Sequence, residues 1–434
     1  MEVKVLNSKL VKPAHDTAAA GVPKYVPLSV FDRVTCQMPM TIIFTFTASS
    51  PSMAAMEEGL VAALTRYRAF AGQLGEGPDG KPAVLLNDRG ARLVDAAVPD
   101  ADLADVAGEP TPELLKLFDL WANSNKLHPY LEVELEEVVL IQLTRFRCGS
   151  LAVGFTSNHV VADGHATSDF LVAWCRAARG HRPMGLTPVY YHREKLFRPR
   201  SPSRVEYDHG SREYHRPPSP AVEYYDAYAA SNIVIHRAHL TKDFIVELRA
   251  KASEGRVVSF SRFETIVAHV WHAMTRARGL GDGDPSQVST IRISVDGRCR
   301  LDPETSLAGY FGNLVLWAFP RATVGDLLTQ PLRHVAQAIH DEVARVADAA
   351  YFQSFVDYAC SGAVEEEGLA PSNVLCPDME VDSWLTFPFY ELDFGTGRPS
   401  RVTPSYFTSE GVMYLAPSNL GDGSVDAFVL LDLA

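Results

Sequence analysis

A histidine, an aspartate and a glycine stand close together at the end of an apolar run, in the segment GFTSNHVVADGHA at 154–166. Imidazole can accept a proton near neutral pH, because an unperturbed histidine has a pKa of about 6.5. A turn at Asp163 and Gly164 would expose the ring of His159 while the preceding strand holds it rigid, as a catalytic group requires. The pattern favours a general base that deprotonates a nucleophile. The alternative is a histidine that ends a strand through ordinary hydrogen bonding.

The spacing HxxxD is not specific by itself, since the chain contains it three times. His165 and Asp169 lie one turn apart within a predicted helix, as a capping or exposed pair. His239 and Asp243 span a strand end and a helix start, where an aspartate suits the first helical turn. The pair that begins at His159 differs because it closes a buried strand.

The composition excludes several classes of protein. The chain has 434 residues, is 47% hydrophobic and carries a net charge of −13, so it can bury a large core but lacks the basic surface that nucleic acid requires. Six scattered cysteines without a CxxC pair predict free thiols in a reducing cytoplasm, with neither zinc nor disulfides. No apolar run approaches the roughly 20 residues of a membrane span, and the start lacks a signal peptide. We expect a cytoplasmic monomer with small-molecule substrates and no membrane or nucleic-acid partner.

Strand-like and helix-like segments alternate along the chain, which predicts an α/β fold of two similar lobes of mixed β-sheet with helices. Residues 1–180 form the predicted N-terminal lobe and residues 229–434 the C-terminal lobe. Residues 181–228 are rich in Pro, Arg, His and Tyr and lack periodicity, so we predict a long crossover there. A cleft between lobes is a common place for a substrate site.

A second signal comes late in the chain, where LDFGTGRPS occupies 392–400. HVVADG and DFGTG together resemble the BAHD family of plant acyl-CoA-dependent acyltransferases. SVDGRCRLDPE at 294–304, GYFGN at 309–313 and SFSRFETIVAHVWHA at 259–273 are similar to further family signatures, in the family's order. Thr396 departs from the family, which usually has Trp there, and this bears on loop packing rather than on catalysis. MEVDSW and LGDGSVDAFVLL resemble a narrower group, the cereal agmatine and amine N-hydroxycinnamoyltransferases.

The resemblance implies a chloramphenicol-acetyltransferase-like fold with an active-site channel at the interface of the lobes. It implies that His159 is the catalytic base and that Asp163 is structural, with Arg298 as its partner. Asp393 is structural as well. The resemblance also implies acyl-CoA as co-substrate with no tightly bound cofactor. The acyl group that it implies is coumaroyl, feruloyl or benzoyl.

Acyl transfer from a thioester needs few groups beyond the base. The remaining requirement is a hydrogen-bond donor for the oxyanion, and the indole N–H of Trp384 is a candidate. The alternative for Trp384 is a core tryptophan. No cysteine lies in a nucleophile-elbow or Cys-His motif, so we expect direct attack without an acyl-enzyme.

Four residues near the start of a predicted helix over 261–280 are candidates for binding CoA. The hydroxyls of Ser259 and Ser261 and the free N–H groups of the first helical turn can hold phosphate. Arg256 and Arg262 would add positive charge. The alternative for one serine is helix capping, which applies in any case.

Glu380 and Asp382 lie two residues apart on a predicted strand, so their side chains share one face. Two carboxylates beside Trp384 would form an anionic pocket for the acceptor. A guanidinium such as that of agmatine fits a carboxylate bidentately, and putrescine would form an ammonium ion pair. The alternative is a solvated strand edge with two exposed acids.

The sequence therefore predicts an acyl-CoA-dependent N-acyltransferase that moves a hydroxycinnamoyl or benzoyl group to a basic amine. Tryptamine or tyramine, and then shikimate, are the alternative acceptors. A catalytically silent relative that binds CoA esters is the alternative outside the enzymes.

Overall fold

The computed structural model describes residues 3–14, 24–35, 39–47, 51–106, 137–181, 189, 193–210, 213, 233–301, 307–362, 376–404 and 410–432. The strands within these ranges are β1 Lys4–Val11, β2 Tyr25–Pro27, β3 Pro39–Phe46, β4 Gln73–Glu76, β5 Pro82–Leu85, β6 Ala91–Val98, β7 Val139–Phe146, β8 Leu151–Asn158, β9 Ile233–Leu240, β10 Val288–Asp296, β11 Val315–Ala318, β12 Arg321–Thr323, β13 Met379–Ser383, β14 Arg401–Pro404, β15 Val412–Pro417 and β16 Val425–Asp432. The α-helices are α1 Val30–Arg33, α2 Met53–Arg66, α3 Leu103–Val106, α4 Gly164–Ala178, α5 Arg193–Leu196, α6 Lys242–Ala252, α7 Arg262–Ala277, α8 Val324–Thr329, α9 Leu332–Val346 and α10 Ala349–Ala359.

The chain divides into two compact units, each built from three segments. The first unit comprises Met1–Arg198, Thr305–Leu314 and Phe387–Tyr406, and the second comprises Pro199–Glu304, Val315–Thr386 and Phe407–Ala434. This division differs from the predicted lobes because the late segment with DFGTG belongs to the first unit. Strand β14 in that segment pairs antiparallel with β3, which ties it to the first unit's sheet.

The first unit is organised around a six-stranded mixed sheet with the strand order β1-β6-β7-β8-β3-β14. Strands β6 and β7 run parallel, and the other neighbours in this sheet are antiparallel. All eight residues of β8 are buried, which confirms that this apolar run is covered on both faces. A separate three-stranded sheet has the order β2-β5-β4.

Helix α4 follows β8 after a short turn, as the sequence predicts. Asp163 caps its N-terminus, and its buried face includes Phe170, Leu171 and Trp174. Gly180 closes the helix with a φ of 74°, a left-handed conformation that glycine adopts without strain. The strand and the capped helix thus fix both ends of the turn that carries His159.

The second unit contains a seven-stranded sheet with the order β11-β10-β13-β15-β16-β9, in which β12 also pairs with β10. Strand β10 alternates, with Ile291 and Ile293 buried and Arg292 half-buried. Helix α7 packs on the apolar side, where its Trp271 donates Nε1–H to Ser289 Oγ at 2.9 Å. The opposite face of β10 and β13 therefore carries the polar side chains.

The sequence predicts one helix over 52–74, from its apolar residues at helical spacing, and another over 324–347, and both have different bounds in the structure. The first ends at Arg66, and β4 begins at Gln73. The second is two helices, α8 and α9, with Pro331 at the N-cap of α9. Proline has no N–H to donate and fixes φ, so it ends one helix and starts the next.

The crossover predicted over 181–228 lies mostly outside the described residues, but several side chains in its described part make specific polar contacts. Arg193 is buried in the first unit, where it forms an ion pair with Asp32. In the second unit, Arg200 donates its Nε–H to Asp357 Oδ2 at 2.6 Å and its backbone N–H to Oδ1 at 2.7 Å. His209 contacts Ser354 Oγ through Nε2 at 3.0 Å. Arg193, Arg200 and His209 of this segment are therefore each held by polar contacts.

Candidate active site

His159 is the first residue after β8, in the turn that leads to α4, and its side chain is half-buried. Its Nδ1 lies 3.2 Å from Oδ1 of Asn313. Val160, the next residue, donates its N–H to the side chain of Asn158 at 3.1 Å, which tightens the turn. The turn therefore presents the imidazole on a rigid support.

Asn313 is a neighbour of His159 that the sequence reasoning missed. Its Nδ2 lies 3.0 Å from Oδ1 of Asp32, and 2.9 and 3.0 Å from the carbonyl oxygens of His159 and Val160. The backbone N–H of Asn313 also donates to Asp32, at 2.8 Å. The signal was present in GYFGN, which ends at Asn313, but the family resemblance assigned no role to that residue.

Asp163 supports the backbone on both sides of the turn. Its carboxylate accepts from the N–H of Ala166 and from the N–H of Leu314, each at 3.0 Å. Arg298 is buried, and its Nη1 lies 3.2 Å from Asp296. The pairing of Asp163 with Arg298 stays a prediction.

Asp393 organises the DFGTG loop. Its Oδ1 accepts from the backbone N–H groups of Gly395, Thr396 and Gly397 at 2.7, 3.1 and 3.0 Å. Arg179 forms an ion pair with it at 3.3 Å. Burial alone would raise the pKa of Asp393, but the amide donors and Arg179 outweigh it and hold the pKa below its ordinary value. These contacts suit the structural role expected of Asp393.

In the second unit, Glu380 and Asp382 lie on β13, and both are half-buried. The sheet register places Arg292 of β10 beside Glu380, and Tyr414 of β15 beside Asp382. Nη1 of Arg292 lies 3.5 Å from the Glu380 carboxylate, and the guanidinium carbon lies 4.2 Å from the ring centroid of Trp317. We call these five side chains the acidic face.

Burial and the charges on the acidic face shift two pKa values. Burial raises the pKa of Glu380 to about 7, and the carboxylate of Asp382 raises it further while Arg292 opposes the rise. Burial also raises the pKa of Tyr414 well above its ordinary value, with the two carboxylates adding to the effect, so the phenol is neutral. Among the described residues the Asp382 carboxylate has no hydrogen-bond or ion-pair partner, which leaves it available to a ligand.

The sequence reasoning found the two acids but missed Arg292, Trp317 and Tyr414. The alternation of STIRISVD indicates that Arg292 lies on the polar side of its strand. Its position beside Glu380 follows only from the pairing of β10 with β13, whose residues lie far apart in the sequence.

Trp384, the candidate oxyanion donor, directly follows β13 and is buried. Its backbone N–H donates to the carbonyl of Leu415 at 2.7 Å, and its indole packs on Tyr414 with ring centroids 5.0 Å apart. Trp384 thus borders the acidic face, and its role as oxyanion donor stays a prediction.

The four CoA candidates lie around the start of α7, but their side chains are not equally available. Ser261 caps the helix: its Oγ accepts from the N–H of Glu264 at 3.1 Å, and its own N–H donates to the Glu264 carboxylate. Arg256 donates to Gln337 and stacks on Phe260 with 4.0 Å between the guanidinium carbon and the ring centroid. Ser259 and Arg262 are exposed, and Arg262 donates to the carbonyl of Gly423 at 3.3 Å. The geometry thus leaves Ser259 and Arg262 the more accessible pair.

Three further properties of the described residues bear on the site. They contain no group of three histidine, cysteine or acidic side chains arranged to hold a metal ion. None of their helices has the length and apolar character needed to cross a bilayer. Their five cysteines are free thiols, of which Cys175 alone is buried, and burial raises the pKa of its thiol.

Relatives of known activity match this chain over nearly its full length. It is 65% identical to putrescine hydroxycinnamoyltransferase 3 of Oryza sativa subsp. japonica, across 99% of this chain and 96% of the relative. It is 44% identical to agmatine hydroxycinnamoyltransferase 1 of the same organism, with the same coverage.

The fold has counterparts among solved structures. The structure of F. graminearum TRI101 complexed with coenzyme A and deoxynivalenol has a TM-score of 0.76, covering 94% of this chain and 95% of that chain at 16% identity. This likeness confirms the predicted fold class. The sequence model described as the transferase family matches residues 1–434. The chain therefore belongs to this transferase family, the BAHD acyltransferases that its motifs resemble.

Proposed function

We propose that this acyltransferase moves a hydroxycinnamoyl group from a CoA thioester to a primary amine that carries a second positive charge at its far end, such as putrescine or agmatine. The acidic face is the observation that carries the proposal. A half-buried carboxylate without a partner, as at Asp382, is stabilised when a cation binds it. The activities named for the two rice relatives support the same acceptor class.

The charge balance of the acidic face supports an acceptor with one bound cationic end. With Glu380 ionised, two carboxylates and the one guanidinium of Arg292 leave a net charge of −1. An acceptor whose far end is an ammonium or guanidinium group neutralises that charge. Its near end must be a neutral amine to act as the nucleophile, so a second cation at that end would not react.

His159 is the general base of the proposed reaction. As the amine nitrogen attacks the thioester carbonyl, the imidazole removes one N–H proton, and the indole N–H of Trp384 stabilises the oxyanion. The new C–N bond forms, the C–S bond breaks, and the CoA thiolate takes the proton from the imidazolium. The amide and free CoA are the products, and no acyl-enzyme is formed.

The start of α7 is the proposed site for the CoA phosphates. Ser259 and Arg262 are exposed and offer a hydroxyl and a guanidinium, while Ser261 contributes through the helix terminus that it caps. Arg256 adds positive charge nearby. Acyl-CoA is then a co-substrate rather than a tightly bound cofactor.

The test is a panel of acceptors mixed with purified protein and coumaroyl-CoA, with free thiol as the readout. We expect thiol release with putrescine or agmatine and the corresponding amide by mass spectrometry. Faster release with tryptamine, tyramine or shikimate would overturn the acceptor class. No release with any acceptor, together with tight binding of coumaroyl-CoA, would indicate a non-catalytic binder.

A further inference from the structure

We infer that Asn313 is a positioning residue that holds neutral His159 in the tautomer with its proton on Nδ1, and that Asp32 fixes Asn313 in turn. Nε2 is then the nitrogen that accepts the substrate proton. The inference deepens the proposed function and rests on it for the role of His159 as base.

The orientation of the Asn313 amide follows from its surroundings. One end of the amide lies within 3.0 Å of three oxygen atoms, from Asp32 and from the carbonyls of His159 and Val160. Only an NH₂ group suits that position, since an amide oxygen there would face three acceptors. The other end, 3.2 Å from His159 Nδ1, is therefore the oxygen.

The tautomer follows from the amide. An amide oxygen accepts hydrogen bonds and cannot donate one, so Nδ1 of His159 must carry the proton that fills the 3.2 Å contact. A neutral imidazole has one N–H, which leaves the lone pair on Nε2. The hydrogen bond made by one ring nitrogen thus decides which nitrogen acts as the base.

Asp32 is held firmly enough to serve as the anchor. Its carboxylate is fully buried and accepts from the backbone N–H groups of Asn313 at 2.8 Å and Ser29 at 2.7 Å. It also forms the buried ion pair with Arg193, whose Nη2 donates to the carbonyl of Phe311 at 2.9 Å. All of these partners are donors, so the Asp32 carboxylate acts as an acceptor toward Asn313, which fixes the NH₂ end of the amide toward it.

The protonation of the ring can be observed directly in the unmodified protein. Histidine labelled with ¹⁵N gives two-bond ¹⁵N–¹H correlations whose pattern differs between the two neutral tautomers. His159 is identified by the signal that disappears in His159→Gln. At a pH where the ring is neutral, we expect the Nδ1–H pattern for His159, and an Nε2–H pattern would overturn the inference.

Two matched variants test the effect on catalysis. Asn313→Leu removes both ends of the amide at nearly constant volume. Asn158→Leu makes the same replacement at another buried amide of the same turn, which contacts Val160 N–H rather than the ring. We expect Asn313→Leu to lose the Nδ1–H pattern and to lower kcat by at least about 10-fold with KM for acyl-CoA unchanged. Asn158→Leu should keep the Nδ1–H pattern.

The outcomes separate the inference from the proposed function. If Asn313→Leu keeps the Nδ1–H pattern and its kcat, or if both variants change the tautomer alike, Asn313 has no specific positioning role. The proposed function would not be affected, because the acceptor panel tests amide formation by the unmodified protein. If Asn313→Leu does not fold, the tautomer of the unmodified protein decides the question. A failed acceptor panel would overturn the proposed function and leave that measurement unaffected.

Discussion

Asp382 is the carboxylate on the acidic face with no partner among the described residues, and it gives the clearest test of acceptor binding. Replacing it with Asn keeps the shape and removes the charge. A charged hydrogen bond contributes about 1.5–3 kcal/mol, so Asp382→Asn should raise KM for putrescine or agmatine about 10- to 100-fold. KM for coumaroyl-CoA should change little, and steady-state kinetics with each substrate varied in turn measures both.

Asp243→Asn is the matched control, because it removes the same charge from the exposed first turn of α6. It should leave both KM values unchanged. Equal changes of the two KM values in Asp382→Asn would contradict a local acceptor site.

Glu380 predicts a pH dependence of acceptor binding. Its pKa of about 7 means that the carboxyl is ionised above this pH and becomes neutral below it. A cation binds the ionised form, so KM for the amine should rise as the pH falls through 7. Glu380→Gln cannot titrate, and the protonation of the amine itself affects both proteins alike. The ratio of the two KM profiles therefore isolates Glu380, and a ratio that is constant from pH 6 to 8 would contradict the assignment.

The candidate site residues that the sequence identified belong to local motifs, whereas their neighbours from distant parts of the chain were missed. His159 was identified because it follows directly after a buried strand. The two acids of β13 were identified because they lie two residues apart and so share one face of their strand. Asn313 contacts His159 from 154 positions away, and Arg292 meets Glu380 only because β10 pairs with β13. The periodicity of a single segment does not indicate which residues of another strand will lie beside it.

Gly164 illustrates a requirement that the sequence could not reveal. It is the first residue of α4, and a Cβ there would lie 2.5 Å from Cε2 of the Phe387 ring. The glycine is therefore needed because an aromatic ring packs against its backbone. The turn alone, which the sequence does predict, would not demand it.

The positions of Ser261 and Ser259 at the start of α7 predict different effects when each serine is replaced by alanine. Ser261 is the N-cap and satisfies the N–H of Glu264, so Ser261→Ala should lower the free energy of unfolding by about 1 kcal/mol. Ser259 is exposed, so Ser259→Ala should leave the free energy of unfolding unchanged while raising KM for acyl-CoA. Urea unfolding and steady-state kinetics measure these quantities. If Ser259→Ala leaves KM for acyl-CoA unaltered, Ser259 does not belong to the CoA site.

The elements themselves were predicted where a single physical signal decides them. The apolar run of β8 and the helix expected after it, α4, both form in the structure. Errors arose where a helical pattern continued past its real end, as at Arg66, or where Pro331 divides one amphipathic pattern into two helices. Side-chain periodicity indicates which face is buried, but it does not indicate where the backbone leaves the helix.

Chain order is a poor guide to the composition of the two units. The sequence reasoning assumed that each lobe is continuous, but each unit draws on three separate segments. In the first unit, Thr305–Leu314 supplies Asn313, and Phe387–Tyr406 supplies β14 together with aromatic side chains of the core.

Because the first unit includes segments from late in the chain, we predict that the chain truncated after residue 228 does not fold cooperatively. The truncation removes β14, and with it Phe389 and Phe394, which pack edge-on against Phe44 and Phe46 of β3. Losing one buried phenylalanine costs about 3–5 kcal/mol, and a whole domain is stable by only about 5–15 kcal/mol. Removal of both rings together with an edge strand should therefore reduce the free energy of unfolding of the first unit to about zero. Urea unfolding followed by circular dichroism should show a cooperative transition for the full chain and none for the truncated chain. A cooperative transition at a similar midpoint in both would mean that residues 1–228 form a domain without the late segments.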